Sequence, residues 1–293
     1  MSISASHAGL RLLHVHAHPD DESSKGAATT AYYVDRGARV LVATCTGGER
    51  GDILNPALDT PENWARLPQL RRAELAEAVR VLGAEQVWLG FPDSGFPDPD
   101  APAPLDSDCF AAQDVDEAAG RLVPVIREFR PQVVTTYNEF GGYPHPDHVM
   151  THKITMAALS AAADPARWPE HGPAWDVPKL YYDVAMQRAR FAALDAIMRE
   201  HGLDSPYTER LARMPDDPAL ARTVTTRIPC DDYFETRDRA LLAHATQIDP
   251  DGHWFRVPLE LQRQAWPTED YELVWSRVAT SIPEDDLFAG VEP

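Results

Sequence analysis

The chain carries the stretch Leu12-Leu13-His14-Val15-His16-Ala17-His18-Pro19-Asp20-Asp21-Glu22, an apolar run that leads into a turn rich in titratable groups. The run over residues 12–17 predicts a buried strand, which the proline then ends. The turn that follows holds one imidazole and three carboxylates within five residues. In an open α/β sheet, ligands bind in the crevice beyond the carboxyl ends of the strands. We therefore predict a strand of such a sheet with a functional site at its end.

Strand-like and helix-like segments alternate through the first half of the chain. This alternation indicates parallel βαβ units, and it predicts an α/β fold whose mostly parallel sheet carries helices on both faces. The predicted strands are residues 12–17, 40–45, 87–90 and 133–137, and the predicted helices are 24–35, 63–82, 116–129 and 147–162.

The second half of the chain has a mixed pattern, with a predicted strand over residues 180–185 and predicted helices over 191–200 and 231–246. Two stretches rich in proline, residues 91–108 and 164–178, are typical of surface loops. We expect residues 1–163 to form the catalytic portion. Residues 164–293 are expected to form a mixed α/β portion that packs on the sheet, lines the pocket and makes one compact unit with the first.

Composition excludes several classes of partner for these 293 residues. The net charge of −19 argues against nucleic acid and anionic membranes, because phosphate binding requires clustered cations. Three cysteines are too few, and odd in number, for a disulfide framework. The sequence shows no signal peptide and no apolar run near the roughly 20 residues of a membrane span. A cytoplasmic protein is the expectation.

A second cluster of titratable groups, Tyr143-Pro144-His145-Pro146-Asp147-His148, follows the predicted strand over residues 133–137. Catalytic zinc takes three protein ligands from His, Asp or Glu and keeps one position open. His18 and Asp21 can face one point across the first turn, and His148 from the second cluster completes the set. The first turn alone could equally be a capped turn without metal, and the second cluster favours the metal.

The remaining side chains of the two clusters suit hydrolysis at such a metal. Asp20 lies on the other side of the ion from Asp21 and is free to take a proton from the attacking water. His145 can stabilise the charge of a tetrahedral intermediate, with Asp147 holding it by a hydrogen bond that favours the imidazolium. Tyr143 either donates its hydroxyl to the same oxyanion or packs its ring against the sheet edge.

The two clusters resemble the hallmark motifs of the LmbE-like, PIG-L-type zinc deacetylase family, which stand unbroken here at residues 17–22 and 145–148. The resemblance implies a Rossmann-like sheet without a nucleotide and hydrolysis of N-acyl groups on amino sugars. It assigns the zinc ligands to His18, Asp21 and His148, the general base to Asp20 and the charge-stabilising group to His145. Fe²⁺ is the alternative ion, because two histidines and one aspartate with an open position suit either metal.

Flanking segments are similar to one branch of that family, the amidases that act on mycothiol S-conjugates. The similarity implies a small thiol-sugar conjugate as substrate, cleaved between its N-acetylcysteinyl part and glucosaminyl-inositol to release a mercapturic acid. The alternatives are a deacetylase of N-acetylglucosaminyl-inositol or another amino sugar, and a non-catalytic sugar- or metal-binding module. Asp20 argues against the last, since a spare carboxylate beside a metal is costly unless it handles protons. The segments are residues 22–29, 46–56, 244–250, 266–272 and 287–293.

Charged side chains near the turn are candidates for contacts to a polyol substrate. Arg71 and Asp93 match positions that hold the inositol in the related deacetylase, and Glu49 lies in a glycine-rich loop at the same sheet edge. Arg71 could instead be an exposed helix charge paired with Glu74. Lys25, directly after the turn, either contacts the cysteinyl portion of the substrate or is a solvated helix residue.

Four further histidines need an interpretation. His14 and His16 share one face of the first strand, and we interpret both as core or supporting residues. His152 lies one helical turn beyond His148 and is a neighbour of the site rather than a ligand. His244 matches a C-terminal region of the family and either lines the pocket or is a capped core histidine.

Overall fold

A computed structural model describes residues 6–97, 104–214 and 222–293. One sheet of seven strands forms its centre, in the order β3-β2-β1-β4-β5-β7-β6. The strands are β1 (Arg11–His16), β2 (Arg39–Thr46), β3 (Glu85–Phe91), β4 (Val133–Thr136), β5 (Lys179–Asp183), β6 (Thr226–Pro229) and β7 (Thr268–Ser276).

Helices cover both faces of this sheet, as the buried clusters on its two sides show. The α-helices of the described residues are α1 (Asp21–Ser24), α2 (Ala27–Asp35), α3 (Pro61–Ala65), α4 (Leu67–Leu82), α5 (Val115–Ala119), α6 (Val123–Phe129), α7 (Pro146–Ala163), α8 (Arg188–Glu200), α9 (Thr208–Arg213), α10 (Phe234–Ala243) and α11 (Leu259–Ala265).

The first five strands are parallel to one another, and β7 alone runs against them, because it pairs antiparallel with both β5 and β6. The predicted α/β class with a mostly parallel sheet is therefore confirmed. The order of strands reverses direction at β1, which lies between β2 and β4. Such a switch point opens a crevice at the carboxyl ends of its two strands. Both titratable clusters follow these strands, so the fold brings them to one place.

Side chains of β1 alternate between two apolar layers. Leu13 and Val15 join the buried cluster that includes Met150 and Ile154 of α7, whereas Leu12 joins the cluster on the opposite face with Tyr33 of α2. This period of two is that of a strand buried on both faces.

The two histidines of β1 belong to the core, as the sequence suggested. The His14 ring nitrogens lie 2.5 Å from the Thr135 hydroxyl and 3.1 Å from that of Thr30, and His16 Nδ1 lies 3.3 Å from the Tyr137 hydroxyl. Burial lowers the pKa of His14 to about 3 and that of His16 to about 4. Both rings are therefore neutral at physiological pH.

Three helices predicted as continuous are each divided in two. The helix over 24–35 breaks before Gly26, whose φ of 88° is left-handed. The helices over 63–82 and 116–129 break before Pro68 and Pro124, which sit in the first turns of α4 and α6. A proline without an N–H is tolerated in the first turn of a helix but not in its interior.

The second half contributes three strands to the same sheet, of which the sequence predicted only β5. Of the loop predicted over residues 91–108, residues 98–103 lie outside the described residues, and the flanking parts are irregular. The division of the chain at residue 163 stays a prediction. Across the described residues no helix is long and apolar enough to cross a membrane, and the cytoplasmic location also stays a prediction.

Candidate metal centre

The turn after β1 has an unusual backbone. Asp20 adopts φ 100°, a left-handed conformation that is rare for residues with a side chain, and its carbonyl accepts the N–H groups of Ser23 and Ser24 at the start of α1. This conformation turns the chain within two residues of Pro19. As a result His18 and Asp21 point to the same side.

Three predicted ligands converge at this turn. His18 Nδ1 lies 3.6 Å and His148 Nε2 lies 3.5 Å from Asp21 Oδ2, and all three ligand atoms fall within 4.8 Å of one another. All three side chains are buried. His148 Nε2 has no hydrogen-bond partner in the described residues. A buried nitrogen without a partner is rare in native proteins and indicates a bound ion or water. Two imidazoles and a carboxylate around one point fit a divalent metal ion.

Both candidate imidazoles are held by their other nitrogen. His148 Nδ1 lies 3.0 Å from the Gly141 carbonyl, so it carries the proton and Nε2 keeps a free lone pair. His18 Nε2 lies 3.2 Å from Asp147 Oδ2, which likewise leaves Nδ1 facing Asp21. Position 141 requires glycine, because φ is 77° and a Cβ atom there would lie 2.6 Å from His148 Cβ.

Asp21 is fixed through both oxygens. Oδ2 accepts hydrogen bonds from the Tyr137 hydroxyl at 2.7 Å and the His18 amide at 2.9 Å, and Oδ1 accepts one from Lys25 Nζ at 2.6 Å. Tyr137 is a functional residue that the sequence analysis missed, although its place directly after β4 could have pointed to it. Such outer contacts orient a metal ligand and tune its charge.

Asp147 has a different role from the expected one. Its carboxylate accepts from His18 Nε2 and from the amide and hydroxyl of Ser94, and it makes no hydrogen bond to the His145 ring. His145 instead accepts the Asp147 backbone N–H at Nδ1, 3.1 Å away, as the N-cap of α7. Burial and the neighbouring His18 lower the pKa of His145 to about 4. The expectation that Asp147 holds His145 as an imidazolium is therefore wrong.

This arrangement predicts that Asp147 contributes to metal affinity through its hydrogen bond to His18. We expect Asp147→Asn to raise the metal dissociation constant about 10–100-fold, because the neutral amide holds the His18 ring less firmly and makes it less basic. Competition with a chromophoric chelator measures the constant. Ser94→Ala is the matched control, since it removes a partner of Asp147 without touching His18. An unchanged constant in Asp147→Asn would contradict this role.

Asp20, the predicted general base, lies beside the ligands and is more open to solvent than they are. Its side chain is 25 % exposed, and burial raises its pKa although Arg71 opposes this. Arg71 Nη2 lies 2.9 Å from Asp20 Oδ2 and 2.6 Å from the Pro19 carbonyl, and Nη1 binds the Gly48 carbonyl. The predicted alternative of an exposed pair with Glu74 is wrong, because Arg71 is buried and braces the turn. A sugar contact from Arg71 stays a prediction.

Lys25, Glu49 and Asp93 lie close to the metal turn. The Lys25 side chain is only 9 % exposed, so it is not a solvated helix residue. Although burial alone would lower the pKa of Lys25, the Asp21 carboxylate raises it. Asp93 Oδ1 lies 3.6 Å from His18 Nε2, and Glu49 Oε1 accepts the Asp93 amide at 2.9 Å. Their contacts to substrate stay predictions.

His244 belongs to the core, as one of the two interpretations had it. It is fully buried, and its Nε2 lies 2.6 Å from Glu22 Oε1 rather than in the pocket. Burial opposes charge on both groups, yet His244 lowers the pKa of Glu22 and Glu22 raises that of His244. The two form a buried hydrogen-bonded pair next to the metal turn, and because His244 has no exposed surface the predicted substrate contact from it is wrong.

Tyr143 lies at the mouth of the site. Its ring is centred 4.5 Å from that of His148 and 6.1 Å from that of His145, and the residue is 37 % exposed. Burial raises its pKa to about 12, so the hydroxyl stays protonated and can donate. The ring packs on the site rather than on the sheet edge. Phe96, which is 58 % exposed, lies beside it with its ring 5.3 Å from that of His145.

Comparison with known proteins gives three similarities. A family model described as GlcNAc-PI de-N-acetylase, PIG-L, matches residues 13–159. Mycothiol S-conjugate amidase of Streptomyces coelicolor is 58 % identical over 288 residues, which cover 96 % of this chain and 97 % of that protein. A 1D-myo-inositol 2-acetamido-2-deoxy-alpha-D-glucopyranoside deacetylase of Streptomyces avermitilis is 41 % identical over 293 residues, or 97 % and 98 % of the two chains.

Among solved structures, N,N'-diacetylchitobiose deacetylase from Pyrococcus horikoshii is similar with a TM-score of 0.60. The similarity covers 97 % of this chain and 86 % of that one at 17 % sequence identity. At this level of identity the likeness concerns the fold alone.

Proposed function

Because the chain belongs to the PIG-L family, described as GlcNAc-PI de-N-acetylase, we propose that it is a metal-dependent amidase acting on mycothiol S-conjugates. It cleaves the amide between the N-acetylcysteinyl S-conjugate and glucosaminyl-inositol and releases a mercapturic acid, a detoxification reaction. One observation carries the chemistry, namely the unpaired, buried His148 Nε2 that faces His18 and Asp21 with the more open Asp20 beside them. The 58 % identity to the Streptomyces coelicolor amidase supports the substrate.

His18, Asp21 and His148 would hold the metal, for which we propose Zn²⁺ with Fe²⁺ as the alternative. When bound, such an ion polarises the scissile carbonyl and lowers the pKa of the attacking water toward about 7. The ligand set of two nitrogens and one oxygen is that of a catalytic zinc site, in which three protein ligands leave a position for substrate and water.

Asp20 takes the proton from the attacking water. It is a carboxylate next to the three ligands, and Arg71 fixes the direction of its Oδ2. Because burial raises its pKa, Asp20 is a better proton acceptor than an exposed aspartate. Once protonated, it can return the proton to the amine that leaves.

His145 and Tyr143 stabilise the oxyanion of the tetrahedral intermediate. His145 Nδ1 accepts a backbone N–H, so the proton of the neutral ring is on Nε2 and can be donated to substrate. The neutral form follows from the lowered pKa of His145. The protonated hydroxyl of Tyr143 supplies a second donor at the same side of the site.

We expect His145→Ala to lower kcat about 10²-fold or more with the metal retained, the effect of losing one oxyanion donor. Steady-state kinetics and metal analysis of the same preparation measure both quantities. His152→Ala is the matched control, because that ring lies one turn further along α7 and contacts the Tyr137 carbonyl. Loss of the metal from His145→Ala would instead make His145 a ligand.

The second candidate is deacetylation of N-acetylglucosaminyl-inositol, which the 41 % identity to the Streptomyces avermitilis deacetylase favours. The two reactions share the sugar, the metal and Asp20, and they differ in the acyl group that leaves. The higher identity to the amidase makes the S-conjugate the first choice.

Mass spectrometry on the zinc-loaded protein tests the proposal. Incubation with a mycothiol S-conjugate should yield the N-acetylcysteine conjugate and glucosaminyl-inositol. The Asp20→Asn variant should form both products more slowly than the wild type. Acetate release from N-acetylglucosaminyl-inositol alone would move the assignment to the deacetylase. If a fully metallated protein cleaves neither compound, both candidates are wrong.

A further inference from the structure

The backbone of Asp20 is held in a conformation that it would not adopt by itself. Asp20 is one of three non-glycine residues with positive φ among those the structure describes. Such conformations persist only where the surroundings determine them, and they cluster at functional sites. The left-handed turn decides where the Asp20 carboxylate points relative to Asp21, its neighbour in sequence.

Arg71 braces this turn from one side, and Glu22 supplies the side-chain contact to the Asp20 amide. Its Oε2 accepts the Asp20 N–H at 3.0 Å, while the Asp20 carbonyl makes only the bonds expected at the start of a helix. A glutamate side chain has three rotatable bonds and loses entropy when it is held. It can restrain Asp20 only if its second oxygen is also anchored.

His244 is that anchor. Its Nε2 lies 2.6 Å from Glu22 Oε1, which also accepts the Ser23 hydroxyl at 2.5 Å. The His244 ring is fully buried, and its Nδ1 has no hydrogen-bond partner in the described part of the chain. In the described residues, the only side-chain hydrogen bond of the His244 ring is therefore the one to Glu22. The ring comes from the end of α10, 222 residues from Glu22, and α10 packs against α1.

We propose that His244 is a positioning residue that acts through Glu22 to hold Asp20 in the left-handed conformation required for proton transfer. This inference rests on the proposed hydrolysis, in which Asp20 is the base. It gives His244, at the end of α10, a part in the chemistry although its ring is fully buried.

Substitutions at position 244 separate positioning from folding. We expect His244→Leu to lower kcat about 10²-fold, because a displacement of about 1 Å at a reacting group costs this much. KM should stay within about threefold and the metal content at one ion per chain, since neither substrate nor ligands are touched. His244→Gln places an N–H donor near the original Nε2, so it should recover most of the loss.

Thr246→Val is the matched control for stability. Thr246 lies two residues further along, is equally buried, and donates its hydroxyl to Glu74 Oε2 at 2.7 Å without reaching the turn. We expect it to lower the melting temperature about as much as His244→Leu while kcat below that temperature is retained. Equal kcat in the two variants would overturn the proposal, as would metal loss in proportion to activity.

Hydrogen exchange of the Asp20 amide, measured by NMR, tests without any assay of catalysis whether His244 holds the Asp20 backbone. The amide should exchange faster in His244→Leu than in the wild type and in Thr246→Val, with and without metal. An unchanged rate would overturn the proposal. A wild-type protein that cleaves no amide substrate would refute the proposed function, while the exchange rates would still decide whether His244 fixes Asp20. If His244→Leu does not fold, the same comparisons are made with His244→Gln, for which we expect kcat and exchange rates that differ less from those of the wild type. In that case a wild-type kcat together with a wild-type exchange rate in His244→Asn would overturn the proposal.

Discussion

Asp20→Asn is expected to lower kcat about 10²–10⁴-fold while the metal remains bound, the range for losing a general base. The substitution removes the proton acceptor but leaves His18, Asp21 and His148 unchanged. Asparagine is among the side chains that best tolerate a left-handed backbone, so the φ of 100° should survive. Its amide oxygen can still accept from Arg71 Nη2. The loss therefore reports the missing base rather than a disturbed turn.

Steady-state kinetics on protein of measured metal content checks this result. Asp35→Asn, at the far end of α2, is the control for the same chemical change away from the site, and its kcat should equal that of the wild type. Asp21→Asn should behave oppositely to Asp20→Asn and lose the metal. If Asp20→Asn keeps full turnover, another group accepts the proton and the assigned role is wrong.

His18→Ala is expected to abolish stoichiometric metal binding. The substitution removes one of three ligands and deprives Asp21, Asp93 and Asp147 of their contacts to the His18 ring. Two ligands do not make a catalytic site of the usual kind, which has three. Without the ion the attacking water keeps its ordinary pKa, so turnover should fall below detection.

Two measurements check the loss of the ion. Elemental analysis after dialysis should give about one metal per wild-type chain and almost none for His18→Ala. Metal at about 100 times its dissociation constant should stabilise the wild type by about 2.7 kcal/mol and leave the variant unchanged. A variant with a full complement of metal would show that the ion is held elsewhere.

The sequence predicted well that the two clusters of titratable groups converge, because that information is local. A buried apolar run, a proline and a cluster of titratable groups define the end of β1, and the same pattern recurs after β4. In a parallel sheet the carboxyl ends of neighbouring strands meet at one edge, so the strand assignment alone predicts that the clusters converge. Once the clusters converge, the chemistry of a metal site is sufficient to propose the three ligands and Asp20 as the base.

The C-terminal half was harder to predict from sequence. The strand β7 pairs antiparallel with both β5 and β6, and most of its residues are only partly buried. Such a strand lacks the apolar run that marks a fully buried one, so its place in the sheet depends on the partner strand rather than on its own pattern.

The sequence by itself determined the fold class, the edge at which the site forms and the residue types that can hold a metal. Only the tertiary structure decided which atom each side chain meets. Asp147 binds His18 across 129 residues, Arg71 binds Asp20 across 51, and His244 binds Glu22 across 222. Spacing along the chain fixes the periodicity of an element and the geometry of a turn. Hydrogen bonds between distant elements depend instead on how helices pack on the sheet and on the direction of each side chain, which no local pattern encodes.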